Sequence, residues 1–256
     1  MLPARRHHAV RAAEPAGQLI ELQVVLLAGL AILVGAVIQG AVGFGVGLVA
    51  APVVGLLDPT LMPGSVLVCG FLYPLMSLAA EHRHIDPRVG WVFVGRLAGT
   101  APGVVVVALL SPEQLAVGIG VMVLVAVGLT LHTFTVPVNR GSLVGAGFLS
   151  AVGATAVSIG GPPLGIIYQR ASPPVLRSTM ALVFAVGALL SIAGLTLGGQ
   201  MTSRELLVGL SFFPFLGLGF LLSVPLRRRL RGSGFRYGVL AAVSASALAL
   251  LVRPLF

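Results

Sequence analysis

Long uncharged stretches, separated by short charged segments, dominate the pattern of this chain. The first runs from Leu22 to Leu57 and holds 36 residues, and another, residues 141–169, holds 29. A helix that crosses a bilayer needs about 20 apolar residues. Each stretch is therefore too long for one crossing and too short for two full ones, which predicts a hairpin of two shortened helices in each.

Six further apolar stretches have the length of a single membrane-spanning helix. They are residues 63–80, 89–110, 114–132, 178–198, 206–225 and 237–252. Three of them follow each hairpin along the chain. The pattern therefore predicts an all-α, polytopic membrane protein with about 8–10 crossings.

The two hairpin stretches also repeat each other in sequence. Leu33–Leu57 and Leu143–Ile167 align without a gap at a shift of 110 residues, and nine of the 25 aligned positions are identical. Each half of the chain then has one broken-helix hairpin plus three spans, which makes five crossings. Two halves with an odd number of crossings insert in opposite senses, so we predict the inverted repeats that are typical of secondary transporters.

This repeat divides the chain into four segments. We predict a polar, disordered N-terminal tail over residues 1–18, a first membrane repeat over 19–132, a linker over 133–140 and a second membrane repeat over 141–256. Ten arginines fall on one side of this topology and five on the other. Because positive loops stay in the cytoplasm, we expect the arginine-rich side to be cytoplasmic and both termini to lie outside.

Composition agrees with a membrane protein and excludes several other classes. The chain is 57% hydrophobic and 9% charged, with a mean hydropathy of +1.06, whereas soluble domains are about 25% charged. The net charge of +9 comes from 16 arginines that lie mostly in loops. The positive-inside orientation of the loops explains them, so we expect membrane lipid and no nucleic acid as a partner. Cys69 is the single cysteine, and we predict neither a metal site nor a cofactor.

The acidic residues all lie in tails, in loops or at the ends of spans. They are Glu14, Glu21, Asp58, Glu81, Asp86, Glu113 and Glu205. We therefore expect no buried carboxylate that could serve a proton relay or a cage for a metal cation. This absence favours an anionic substrate over a cationic one.

The hairpin tips are the candidate binding site. The candidates in the first tip are Gln39, Gly43, Phe44 and Gly45, and those in the second are Thr155, Ser158, Gly160, Gly161 and Pro162. A helix that begins inside the membrane directs unpaired N–H groups and its positive dipole end at whatever lies beyond. Glycine lets an anion approach the backbone, and proline at the first turn sacrifices no hydrogen bond. The alternative is that these glycines only allow close helix packing.

Arg96 is the one charged residue inside an apolar span, and it has two interpretations. An arginine at the centre of a membrane helix is a functional candidate, here for attracting an anion or for gating. Alternatively, Arg96 has a structural role or, because Trp91 lies only about 8 Å away along a helix, extends to the interface. Gly95, Gly99 and Gly103 share one face of this span, which predicts close packing against another helix.

Two motifs in these hairpins resemble the TauE/SafE family of sulfite-exporter-like membrane transporters. The first is Gly43-Phe44-Gly45-x-Gly47-Leu48-x-Ala50-Ala51-Pro52, and the second is Ser158-Ile159-Gly160-Gly161-Pro162-Pro163. The spacing Arg96-x-x-Gly99-x-x-x-Gly103 adds to the likeness, which extends over residues 19–253.

The resemblance implies a multi-pass protein of the inner (plasma) membrane whose hairpin tips meet in mid-membrane. It also implies transport of sulfur-containing or organic anions such as sulfite, thiosulfate or sulfonates. The second hairpin has Ala154-Thr155-Ala156 where the first has Phe44-Gly45-Val46. We expect this difference between the halves to contribute to selectivity.

Three other classes compete with a transporter. An intramembrane enzyme needs a nucleophile and base, or paired acids, at depth; the sequence contains neither, so we predict that the protein is not an enzyme. A scaffold subunit would carry a large domain or long tail for its partner, which this sequence lacks. An anion channel is the nearest alternative. The glycine-rich faces could also form a homodimer.

Overall fold

The computed structural model describes residues 4–131, 136–226 and 233–252, and within these ranges the chain is helical without strands. The helices are α1 (Ala4–Val42), α2 (Val46–Leu57), α3 (Gly64–Ala80), α4 (Gly90–Leu109), α5 (Pro112–Leu131), α6 (Arg140–Val157), α7 (Gly161–Ile167), α8 (Pro173–Leu197), α9 (Ser203–Ser211), α10 (Phe213–Leu226) and α11 (Ser233–Val252). Short 3-10 turns at Pro59–Leu61 and Pro87–Val89 precede α3 and α4.

Six segments of the described chain are long and apolar enough to cross a membrane. They are Leu22–Val42, Pro87–Leu109, Pro112–Leu129, Arg140–Val157, Pro173–Leu197 and Ser203–Leu226. Shorter apolar helices lie at Val46–Leu57, Gly64–Ala80 and Val243–Val252. The predicted all-α, polytopic membrane fold is therefore confirmed.

Both predicted hairpins are broken inside the predicted tips, and the breaks have local causes. Gly43 ends α1 with φ +101, a conformation that residues with a side chain rarely adopt. Ser158 ends α6 in the left-handed conformation, and its N–H donates to the carbonyl oxygen of Ala154 at 2.9 Å. Pro162 and Pro163 then occupy the first turn of α7, where no backbone N–H is needed.

The two breaks do not coincide under the sequence shift of 110 residues. That shift pairs Gly43 with Gly153, which lies inside α6, and the second break comes five residues later. Residues 154–156 are consequently helical and do not form the counterpart of the tip at Phe44. The two hairpins therefore differ in the position of their breaks, because the residues that end each helix differ between the halves.

The predicted N-terminal tail is also different in the structure. Helix α1 begins at Ala4, so residues 4–18 are helical and continue into the apolar segment Leu22–Val42. Four segments lie outside the described residues: 1–3, 132–135, 227–232 and 253–256. The second of these holds the first three residues of the predicted linker, and the third is the arginine-rich segment.

Four helix pairs organise the core. Helix α4 packs along α6, α10 packs along α1, α3 packs on α8, and α5 packs on α11. The predicted glycine face of α4 is in close contact with α6, since a methyl group at Gly95 or Gly99 would overlap the carbonyl oxygen of Val144 or Phe148. This confirms the expected close packing of that face.

Two carboxylates are buried, contrary to expectation. Glu205 is 3% exposed and Asp86 is 6% exposed. The Oε1 atom of Glu205 accepts the N–H of Gly64 at 2.9 Å, and its Oε2 atom accepts the N–H of Thr202 at 2.8 Å. The physical reason is that helix N-termini carry unpaired N–H groups, and a buried carboxylate there satisfies two of them at once.

Candidate functional site

The two helix breaks lie against each other. A methyl group at Gly47, in the first turn of α2, would overlap the carbonyl oxygen of Ser158 at the end of α6. The ring of Phe44 covers α7, where a methyl group at Gly161 would lie 2.8 Å from Cδ2 of that ring. Glycine is required at Gly47 because its backbone contacts the backbone of Ser158, and at Gly161 because its backbone contacts the ring of Phe44.

A cavity of about 60 Å³ lies where the breaks meet. Eight of the ten predicted site residues line it: Gln39, Phe44, Gly45, Arg96, Ser158, Gly160, Gly161 and Pro162. Gly43 and Thr155 do not line it. The other lining residues were not among the ten predicted site residues, although Gly47 lies in the first predicted tip. They are Val46, Gly47, Leu48, Val66, Leu67, Gly70, Ala154, Ile159, Phe184 and Ala188.

Arg96 reaches this cavity from α4 and is 1% exposed. Its Nη1 atom donates to Oγ of Ser150 at 2.7 Å, and its guanidinium group lies against Gly187 of α8. Its Nε atom has no hydrogen-bond partner. Because the side chain does not reach the protein surface, the interpretation that it extends to the interface is excluded.

Three other arginines in the described part of the chain form ion pairs with acidic residues. These pairs are Arg88–Asp86, Arg177–Glu81 and Arg204–Asp58. In the described part of the chain no carboxylate pairs with Arg96. The cavity therefore has a buried cationic group whose charge the described residues do not balance.

Backbone donors at the cavity come mainly from α2. The Oε1 atom of Gln39 accepts the N–H of Val46 at 2.9 Å, and the N–H of Val49 donates to the carbonyl oxygen of Gly45 at 3.0 Å. The N–H groups of Gly47 and Leu48 belong to the first turn, where a helix offers no internal acceptor. Helix α7 contributes fewer donors, because two of its first residues are prolines.

Ser150 is a site residue that sequence reasoning missed. Its hydroxyl group accepts from Arg96 and donates to the carbonyl oxygen of Gly160 at 2.6 Å, so it connects the arginine to the break after α6. The only signal in the sequence was the glycine face of α4, which predicted close packing against some other helix. A hydroxyl residue on that other helix could then have been proposed as a partner of Arg96. That helix could not be identified from the sequence.

Thr155, a predicted site residue, packs between helices and does not line the cavity. Its Oγ1 atom lies 2.7 Å from Oγ of Ser191, and both residues are 0% exposed. A methyl group at Gly103 would lie 2.6 Å from Cβ of Thr155. Thr155 therefore connects α6 to α8 and α4 beside the cavity.

Replacing Thr155 with valine is expected to lower stability without changing substrate affinity. The substitution keeps the side-chain shape but leaves the hydroxyl group of Ser191 without its partner, which costs about 1–3 kcal/mol. Thermal unfolding in detergent and the KM of transport test this expectation. Thr155→Ser, which retains the hydroxyl group, is the matched control. A KM that rises strongly in Thr155→Val alone would place the residue in the substrate site.

Fold and cavity together define a polytopic helical membrane protein with a buried arginine at a cavity between two helix breaks. The family model described as "Sulfite exporter TauE/SafE" matches residues 27–250. The chain therefore belongs to this family and is a membrane transporter of the sulfite-exporter type. Membership in a transporter family is consistent with the prediction that the protein is not an enzyme. Searches of curated proteins and of solved structures found no match to the chain.

Proposed function

We propose that this protein carries small anions across the inner (plasma) membrane and that the cavity between the helix breaks is its substrate site. Sulfite, thiosulfate and small sulfonates are the candidate substrates. Arg96 is the observation that carries the proposal, because it is buried, lines the cavity, and has an unpaired Nε and no described carboxylate partner. An uncompensated buried charge costs several kcal/mol, and a bound anion would remove that penalty.

The neutral donors around Arg96 suit the same ligand. Gly47 and Leu48 line the cavity at the positive end of α2, and a helix N-terminus favours an anion. Gln39 uses its Oε1 atom to accept from Val46, so its amide N–H groups are the donors it can offer to the cavity. A volume of about 60 Å³ is enough for a small anion such as sulfite, since one water-sized group needs only about 10–15 Å³.

Two ion pairs favour an alternating-access mechanism rather than an open channel. Each joins a residue of the first predicted repeat to one of the second. Asp58 and Arg204 pair before α3, with Oδ2 and Nη1 3.0 Å apart, and Glu81 pairs with Arg177 at the other end of α3, with Oε2 and Nε 2.9 Å apart. The ends of α3 are about 25 Å apart along the helix. In this proposal, opening one side of the protein separates the pair on that side.

The Asp58–Arg204 pair stays ionised at neutral pH. Burial alone would raise the pKa of Asp58, but hydrogen bonds from Thr60 and Arg204 outweigh burial and lower this pKa. The pair would therefore weaken only in acid, as pH falls through the lowered pKa of the carboxyl group.

The helix pairing also supports the predicted inverted repeats. Exchanging the two halves turns the α4–α6 pair into the α10–α1 pair, while α3–α8 and α5–α11 map onto themselves. Two halves related by a pseudo-two-fold axis would pack in this way. The inverted sense of the repeats, the side that faces the cytoplasm and a homodimer stay predictions.

Uptake by proteoliposomes tests the proposed function. Labelled sulfite, thiosulfate and methanesulfonate are supplied separately, with and without a pH gradient, and protein-free liposomes are the control. We expect saturable uptake of at least one anion and counterflow when the vesicles are preloaded with it. Uptake that does not saturate and lacks counterflow would instead identify a channel, and absence of uptake for all three anions would contradict the proposal.

A further inference from the structure

Two helices that pack together, α3 and α8, contribute only apolar residues to the cavity, and these residues form its apolar wall. Val66, Leu67 and Gly70 of α3 line it together with Phe184 and Ala188 of α8. The polar groups that would bind an anion, which include Arg96 and the first turn of α2, belong to other helices. An anion without carbon atoms has no group that could cover this apolar wall, whereas the carbon chain of an organic anion would remove it from water.

Gly70 differs from the other glycines of the cavity. A methyl group at Gly45, Gly160 or Gly161 would lie within 3.0 Å of another residue, and one at Gly47 would overlap Ser158. At Gly70 no such atom lies within 4 Å, and the backbone does not have a positive φ. Neither packing nor backbone conformation therefore requires glycine at this position.

Gly70 is also unfavourable for the helix that contains it. It lies in the middle of α3, where glycine is less stable than alanine because it loses more conformational freedom on folding. The structural effect of glycine at this position is to leave open space beside the apolar wall. A ligand that enters the cavity can use that space.

We propose that Gly70 is a specificity-determining residue that leaves room for the carbon-bearing end of an organic anion while Arg96 holds the acidic end. This inference rests on the proposed function of the cavity. Each methylene group that becomes buried against the wall strengthens binding by about fourfold. A side chain at position 70 would occupy the same space and would exclude longer anions first.

The test measures inhibition of labelled sulfite uptake by methanesulfonate, ethanesulfonate and butane-1-sulfonate in wild type, Gly70→Ala and Gly70→Val. We expect the inhibition constant for butane-1-sulfonate to rise in the order of side-chain size, by about tenfold or more in Gly70→Val. The KM of sulfite is expected to rise by less than the inhibition constant of butane-1-sulfonate, because the smaller anion needs less of the space beside position 70.

Gly217 provides the matched control. It lies inside α10, is partly exposed like Gly70, has no atom within 4 Å of an added methyl group and does not line the cavity. Gly217→Ala and Gly217→Val should leave the ratio between the butane-1-sulfonate and sulfite constants unchanged. Thermal unfolding of all four variants measures any general damage from the new side chain.

Several outcomes would overturn the inference. A Gly70→Val protein whose affinity for sulfite and for sulfonates falls by the same factor would have a general defect. The ratio between the butane-1-sulfonate and sulfite constants would then be unchanged, which would show that position 70 does not limit ligand length. A wild-type protein that transports sulfite but is inhibited by no sulfonate overturns the inference and leaves the proposed function intact. Absence of uptake or inhibition for every anion would overturn both.

Discussion

Replacing Arg96 with glutamine is expected to lower kcat/KM for the transported anion by about 10- to 150-fold, which corresponds to the loss of about 1.5–3 kcal/mol from one charged hydrogen bond. The same variant should be at least as stable as wild type. The physical reason is that Arg96 is 1% exposed and has no described acidic partner. Its removal therefore relieves a desolvation penalty while it deletes the counter-charge for the substrate.

These opposite effects separate a binding role from a structural one. A structural arginine would lower the unfolding temperature when it is replaced, because Ser150 and Gly160 would lose the network that Arg96 completes. Proteoliposome uptake and thermal unfolding in detergent measure the two quantities. Arg96→Lys retains the charge without the planar guanidinium group, so we expect a smaller loss of uptake than in Arg96→Gln.

The control for Arg96 is an arginine outside the site. Arg83 is exposed in the loop after α3, and Arg83→Gln removes the same charge from the protein. Both its stability and its uptake should match wild type. If Arg96→Gln transports as well as Arg83→Gln does, the cavity is not the anion site.

Replacing Gly47 with alanine should damage both folding and transport. The added methyl group would overlap the carbonyl oxygen of Ser158, and backbone atoms on both sides leave no flexible side chain to move aside. Overpacking of this kind costs about 1–3 kcal/mol of unfolding free energy. It would also separate the first turn of α2 from the break after α6, which opens the cavity that those residues enclose.

Gly145→Ala is the matched control for Gly47→Ala. Gly145 is likewise helical, but it is exposed and has no atom within 4 Å of an added methyl group. This variant should be slightly more stable than wild type, because alanine is the better helix former. Equal unfolding temperatures and equal uptake for the two variants would refute the described contact between the two breaks.

Much of the fold follows from local properties of the sequence. Residues 63–80 and 89–110 were predicted as spans, and the structure has helices at Gly64–Ala80 and Gly90–Leu109. The length and hydropathy of a segment determine whether it forms a membrane-spanning helix, and no other part of the chain needs to be known. The breaks are local as well, because Gly43 and Pro162 end or begin a helix through their own backbone constraints.

Local reasoning failed where distant residues meet. The sequence predicted that Glu205 lies at the end of a span, but its burial depends on Gly64, 141 positions away. Thr155 was placed in the site, although its hydroxyl group lies against Ser191 on another helix. The role of a side chain depends on the helix that packs against it, and the hydropathy pattern does not identify that helix.

The sequence by itself therefore determined the class of protein, most of the apolar helices, the two hairpins that contain the helix breaks and the position of Arg96 within an apolar span. Only the tertiary structure decided that the breaks contact each other, that Arg96 is enclosed rather than interfacial, and that Ser150 connects it to the second break. The reason is physical. Helix formation and membrane insertion depend on neighbouring residues along the chain, whereas a binding cavity depends on which helix faces pack together.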